Sequence, residues 1–319
     1  MAQKNTNILK DEFEDLGFSS LVNGNSRRLI NSDGSFNILR GGAGAKRLNV
    51  YQWLVLMSWK KFFLMVILFY LSINFLFAFG YWLIGVEQLA HNNLNFHPFW
   101  IGFFFSAQTL TTVGYGGISP VGFGANVLAT IGALVGLLSF ALATGLLFSR
   151  FSRPSANIRY SKVALIAPYA NNQQALMFRI VNNRKNVLAD LQALMIMTWV
   201  ETDANGRLFR QYRTIELERE FLPMMPINWT IVHPINEKSP FNGWDKTSCQ
   251  RQDIEFLVIV QAYDETFSNI VRSYNSYRWE ELVWDAKFKP MFYTDEDGNT
   301  VLELDKLSNY ETLSGEVAG

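Results

Sequence analysis

The chain has 319 residues with 28 basic and 28 acidic side chains, so it carries no basic excess to make nucleic acid its main partner. A single cysteine, Cys249, excludes an intrachain disulfide framework. Charge is spread unevenly: between Lys61 and Arg150 Glu87 is the one acidic residue, and Lys and Arg are absent.

Residues 1–45 read as a polar, mixed-charge N-terminal arm. Asp11, Glu12, Glu14 and Asp15 near its start leave no apolar core, so a cleaved leader is not expected. Within the arm, Asn31-Ser32-Asp33-Gly34 is a turn signal between Leu29-Ile30 and Phe36–Leu39, short apolar pieces suited to docking on a folded domain. Gly41, Gly42 and Gly44 supply a flexible joint. From 46 to 58, aromatic and aliphatic side chains mix with Lys46 and Arg47, the pattern of a short helix lying along lipid headgroups.

Phe62–Val86 and Ile118–Ser149 lack charge, and each exceeds the roughly 20 residues needed to cross a bilayer as helix. A pore domain over 59–153 follows: outer helix 59–82, turret 83–97, a short helix 98–110 begun by Pro98, a loop 111–116, and inner helix 121–151. The short helix is too brief to span, so it enters the membrane and returns. A loop at that depth is tolerated only if its backbone is buried in protein or lines a wet passage. Lys46, Arg47, Lys60, Lys61, Arg150, Arg153, Arg159 and Lys162 flank the spans on one side, which predicts both termini in the cytoplasm.

The loop holds Thr112, Val113, Gly114, Tyr115 and Gly116. Backbone oxygens of Thr112 to Tyr115, with the Thr112 hydroxyl, would replace a cation's water shell, and Tyr115 is expected to brace the loop against Trp100 or its neighbours. This string is the known potassium-filter signature, so potassium, the transported substrate, is assigned by that correspondence rather than by spacing. One pair of spans cannot enclose a pore, so four copies are expected. Phe140 and Phe148, about two turns apart, can face one side of the inner helix as an apolar gate. Gly132, Gly136 and Gly145 would admit bending or close contact. Arg150 and Arg153, with Trp59 and Lys60, would form a surface for anionic lipid.

Past Pro154, short apolar or alternating pieces at 163–167, 175–181, 191–201, 208–214, 229–233 and 255–262 predict a β-sandwich over 154–310, with a tail at 311–319. His233 and the scattered carboxylates show no nucleophile, base and orienter arrangement, so no enzyme and no cofactor are expected. His91 and His97 lack metal-ligand spacing.

At Thr112–Gly116, Phe151–Pro154, Trp229–Ile235 and Glu255–Val258 the chain resembles the prokaryotic inward-rectifier potassium channels, over roughly residues 27–310. The resemblance implies a homotetramer: a two-span α-helical pore with re-entrant pore helix and filter, over cytoplasmic immunoglobulin-like β-sandwiches, in a prokaryotic inner or plasma membrane. It also makes 46–57 the slide helix, Gly136 a hinge, Phe140 and Phe148 gate positions, and Arg150 and Arg153 lipid-responsive. Ser155 and Ala156 replace basic residues of eukaryotic relatives, so strong phosphoinositide activation does not follow. Gly132 and Phe140 stand where an acidic residue can lie, which weakens the case for polyamine or magnesium as blockers. The alternatives are a weakly rectifying channel that senses lipid or a small ligand, and a non-conducting membrane binding protein on the same scaffold.

Overall fold

A computed structural model describes residues 28–31, 33–37, 49–91, 96–154, 156–202 and 204–313. Lys46, Arg47, the glycine joint, most of the N-terminal arm, Ser155 and the last residues of the tail lie outside them. The chain divides into two units: a helical one, Gly41–Arg153, and a β-rich one formed by Met1–Arg40 with Pro154–Gly319.

In the helical unit, α1 (Val50–Leu56) begins at Asn49, whose side chain accepts from the Gln52 amide, as an N-cap should. Met57 and Ser58 are extended, so the interfacial helix is shorter than 46–58 and is separated from α2 (Trp59–Ile84) by an elbow. α2 runs two residues beyond the expected 82, to the turn at Gly85 with φ 94°. β1 (Leu89–His91) pairs antiparallel with β2 (Ile118–Pro120), closing the segment that holds α3 (Pro98–Leu110). α4 (Phe123–Phe151) starts after Gly122 rather than at 121, because the Val121 amide is drawn to the Gln88 carbonyl at 2.9 Å. Phe77, Tyr81, Ile101, Phe105, Leu110 and Ala125 form the core of this unit.

The β-rich unit is built on two sheets. One runs β11-β10-β6-β7, from β6 (Leu188–Thr202), β7 (Leu208–Ile215), β10 (Glu255–Asp264) and β11 (Asn269–Arg278), with β8 (Phe221–Met224) also along β6. The other runs β12-β4-β5-β3, from β3 (Ile158–Tyr160), β4 (Ala164–Pro168), β5 (Gln174–Asn182) and β12 (Leu282–Trp284), with β9 (Asn228–Ile235) against β5. Strand alternation puts Met195, Met197, Phe256, Val258 and Val260 into one core with Phe178, Ile180 and Ile231 of the second sheet.

The opposite face of the first sheet is covered by the chain's own N-terminal segment. Ile30 is buried against Ile196 and Leu257, and Phe36 lies 5.3 Å from the Tyr274 ring. The Leu29 amide donates to both Glu255 carboxylate oxygens at 3.1 and 3.2 Å. Arg28 donates to the Ser276 hydroxyl and carbonyl and to Glu281, while Ser276 Oγ donates to the Ile30 carbonyl at 2.9 Å. β10 therefore reads EFLVIV, apolar on both faces, because both are buried.

Candidate functional site

The loop 111–117 follows the C-terminus of α3, which is pinned on several sides. His97 caps its start by accepting from the Phe99 amide at 3.3 Å, with Pro98 at the first helical position. Along its length Ser106 Oγ donates to Asn74 Oδ1 of α2 at 3.1 Å, a polar tie in an otherwise apolar contact. Gly102 is closely packed: a Cβ there would lie 3.0 Å from the Tyr81 Cβ and 3.2 Å from the Ala78 carbonyl oxygen. At its end the Gln108 carbonyl accepts from the amides of Val113 and Gly114, folding the loop back onto the helix.

In this loop φ alternates in sign. Thr112, Gly114 and Gly116 have φ of 59°, 55° and 79°, while Val113 and Tyr115 between them do not enter the left-handed region. Such alternation turns successive peptide units the same way, so polar groups that a strand sends to opposite sides can gather on one. Glycine takes these angles without steric cost, whereas the β-branched Thr112 is strained. The sequence pointed to the two glycines and missed Thr112, whose identity carries no sign of a left-handed residue.

All seven loop residues are exposed in the single chain. Tyr115, expected to brace against Trp100, is 80% exposed, so within one chain that support is not made. Trp100 instead packs among Phe99, Phe103 and Phe104.

On α4, the three glycines singled out from the sequence have different surroundings. Gly132 faces the Phe77 ring, whose nearest carbon would be 3.3 Å from an added Cβ. Gly136 backs onto α3, where a Cβ would fall 2.2 Å from the Leu110 carbonyl oxygen, and α4 runs through it without a break. Gly145 has open space around it. Phe140 and Phe148 are exposed in the single chain.

The four lipid candidates are not equivalent. Trp59, Lys60 and Arg153 are exposed, but Arg150 is buried. Its guanidinium donates to the carbonyls of Leu54 at 2.5 Å, Val55 at 3.1 Å and Met57 at 2.7 Å. The sequence reading put Arg150 and Arg153 on one headgroup-facing surface; in the single chain the Arg150 donors turn to α1 and the elbow after it. Nearby, a cleft of about 510 Å³ between α1 and α2 is lined by Trp53, Met57, Lys61 and Met65 among others.

In the β-rich unit, His233 is buried between the Glu216 carbonyl oxygen (Nδ1, 2.5 Å) and Ser239 Oγ (Nε2, 2.7 Å), and burial lowers its pKa. Cys249 is buried and its thiol is pushed up to about 12, so it is a packed side chain rather than a reactive one. Among the described residues no cluster of His, Cys, Asp or Glu could hold a metal ion.

Two helices long and apolar enough to span, beside a unit of two packed sheets, define a multi-pass membrane protein with a β-sandwich domain. Residues 62–153 match the family model described as "Ion channel", and 158–316 match "Inward rectifier potassium channel C-terminal domain". The chain is 33% identical to the inward rectifier potassium channel Kirbac3.1 of Paramagnetospirillum magnetotacticum, over 88% of this chain and 94% of that one. It is 27% identical to the human G protein-activated inward rectifier potassium channel 3, over 90% of this chain and 78% of that one. The chain belongs to the inward rectifier potassium channel family. It is accordingly a potassium channel, with potassium as the transported ion, and a transport protein rather than an enzyme.

Proposed function

We propose that four copies of the chain surround one pore in which Thr112 to Gly116 form the potassium filter, α3 is the pore helix and α4 lines the inner passage. The observation that carries this reading is the alternating φ of Thr112, Gly114 and Gly116 at the C-terminus of a short helix held by α2 and α4. Carbonyls of Thr112, Val113, Gly114 and Tyr115, repeated in four copies, would offer successive oxygen rings to a dehydrated ion. The C-terminal end of α3 adds the negative end of its helix dipole beside them, which favours a cation. Tyr115, exposed in one chain, would find its support on a neighbouring copy.

Phe140 and Phe148 are the proposed gate, closing the inner passage by excluding water. Gly136 is the proposed hinge, although its contact with Leu110 means that a bend there also moves the base of the filter. Lys60, Arg153 and the exposed edge of Trp59 form the proposed surface for anionic lipid, at the cytoplasmic end of the spans. Gly132 and Phe140 place no acidic charge in the cavity, so block by polyamine or magnesium is weak and rectification slight. Both termini lie in the cytoplasm of a prokaryotic cell.

The test is ion flux from the full chain reconstituted in liposomes. Gly114→Ala forces a side chain into a left-handed position and is expected to abolish preference for K⁺ over Na⁺ in a tetramer that still assembles. Unchanged preference would remove the filter assignment.

A further inference from the structure

One end of the sandwich carries a cleft of about 480 Å³, away from every residue assigned to the pore. Its lining includes Trp199 and Glu201 of β6, Arg213 of β7, Trp244, and Arg251 at the end of a short helix, α5 (Lys246–Arg251). We propose that this cleft is a docking site for an acidic, aromatic peptide, and that its occupant is the chain's own N-terminal arm, through residues 11–18.

The two tryptophan rings stand 6.1 Å apart at 73° and present a broad apolar wall that is only partly buried. Positive charge flanks it. Arg213 and Arg251 are exposed, and among the described residues neither side chain has a hydrogen bond or an ion pair. The acid of the cleft is already engaged, since Glu201 accepts from the Trp199 indole nitrogen at 2.7 Å and from Gln211 at 3.4 Å. Asp245 caps α5: hydrogen bonds from Ser248 chiefly hold its carboxyl low, with the charge of Arg251 the last of the causes. β7 is also the last strand of its sheet, so the backbone edge that carries Arg213 meets no further strand among the described residues.

Guanidinium groups beside aromatic faces recognise carboxylates that alternate with aromatic and aliphatic side chains. The chain supplies that pattern in Asp11-Glu12-Phe13-Glu14-Asp15-Leu16-Gly17-Phe18, with carboxylates at four of the first five positions. Placement agrees with chemistry. The described part of the arm begins at Arg28, which pairs at 2.9 Å with Glu281 in the turn Trp279–Glu281. That turn packs against α5, the helix that carries Arg251. Phe18 precedes Arg28 by ten residues, and an extended chain of that length covers roughly 33 Å, enough to bring 11–18 from the turn to the cleft.

The experiment compares amide hydrogen exchange over 208–215 and 242–252 in the purified full-length chain and in a form lacking residues 2–22. Docking predicts that truncation raises exchange in both stretches by about fivefold and leaves the β10 amides unchanged. A synthetic peptide of residues 8–22, added to the truncated form, restores the protection. In the full chain Arg213→Glu with Arg251→Glu is expected to match truncation, and Asp11→Lys, Glu12→Lys, Glu14→Lys and Asp15→Lys added together to that variant should bring protection back. Wild-type exchange after truncation, a peptide without effect, or protection that survives both arginine reversals overturns the proposal. Crosslinking Phe18→Cys to Asn242→Cys with a short bismaleimide identifies the occupant, Cys249 being buried. A product of single-chain mass supports the chain's own arm. A product of twice that mass assigns the cleft to a neighbouring copy's arm, and it contradicts the proposal, as does the absence of either product. Should the truncated form not assemble, the arginine reversals and the crosslink decide the matter in the full-length chain.

Discussion

Gly136 and Gly145 occupy one helix and serve different ends. A methyl group at Gly136 meets the Leu110 backbone, which cannot swing aside as a side chain can, whereas one at Gly145 meets nothing within the chain. Gly136→Ala is therefore expected to cost about 1–3 kcal/mol by overpacking and to disturb the proposed filter that Leu110 leads into. Gly145→Ala leaves the packing of the chain intact. Thermal unfolding of the assembled protein, read beside K⁺ over Na⁺ flux, separates the two. At the proposed gate, Phe140→Ala or Phe148→Ala should raise basal flux; a properly assembled variant with wild-type flux would assign that ring to packing instead. Residue identity alone marked all three glycines as small and flexible. The particular role of each depends on which helix passes behind it, and that is a property of the tertiary fold.

Among the elements, the N-terminal segment shows how side-chain pattern and contact complete each other. Leu29-Ile30 and Phe36 were legible as docking pieces, and Ile30 and Phe36 now lie on the sheet face formed by β6, β10 and β11. Ile30→Ala should cost about 2–5 kcal/mol in that contact, visible as faster hydrogen exchange at the Leu29 and Asn37 amides. Glu255 sits beneath the segment, and burial raises its pKa above the ordinary value near 4.5 despite nearby Arg210 and Arg28. A raised folded-state value means its contribution is fully present below the ordinary value and is lost as pH rises through the raised one. Stability of the β-rich unit should thus fall as pH rises through that raised value, and Glu255→Gln should flatten the dependence in pH-resolved thermal unfolding. Other elements escaped the sequence reading for physical reasons. β11, NIVRSYNSYR, is an edge strand with much of its polar surface exposed, so it offers no apolar run. β3, β8 and β12 are short, and their pairing partners lie elsewhere in the chain. α3 begins where Pro98 supplies its first helical residue and ends where the loop's glycines approach. The hydrogen bonds from Arg150 to the Leu54, Val55 and Met57 carbonyls were not foreseen, since nothing in sequence links it to α1.

At the scale of the whole molecule, the uneven spread of charge separates a helical unit whose two long apolar runs lack charge from a β-rich unit with frequent charge, and the division at Pro154 follows it. The family is carried by both halves, since the ion-channel and the C-terminal-domain models match adjoining stretches. Four-fold assembly is what would join these parts into a pore, because the loop 111–117, Tyr115, Phe140 and Phe148 are all exposed in one chain. The proposed slight rectification belongs to the same scale. Inward and outward K⁺ currents of the reconstituted channel should be of similar size with polyamine or magnesium on the cytoplasmic side, and strong outward block would show that cavity charge is supplied from elsewhere. The most direct measurement is flux from the purified full-length chain in liposomes, with K⁺ and Na⁺ gradients compared over several anionic lipid fractions. A filter at Thr112 to Gly116 passes K⁺ and holds back Na⁺, and the selectivity disappears with Gly114→Ala. Flux that fails to distinguish the two ions, or none under any lipid condition, would contradict it.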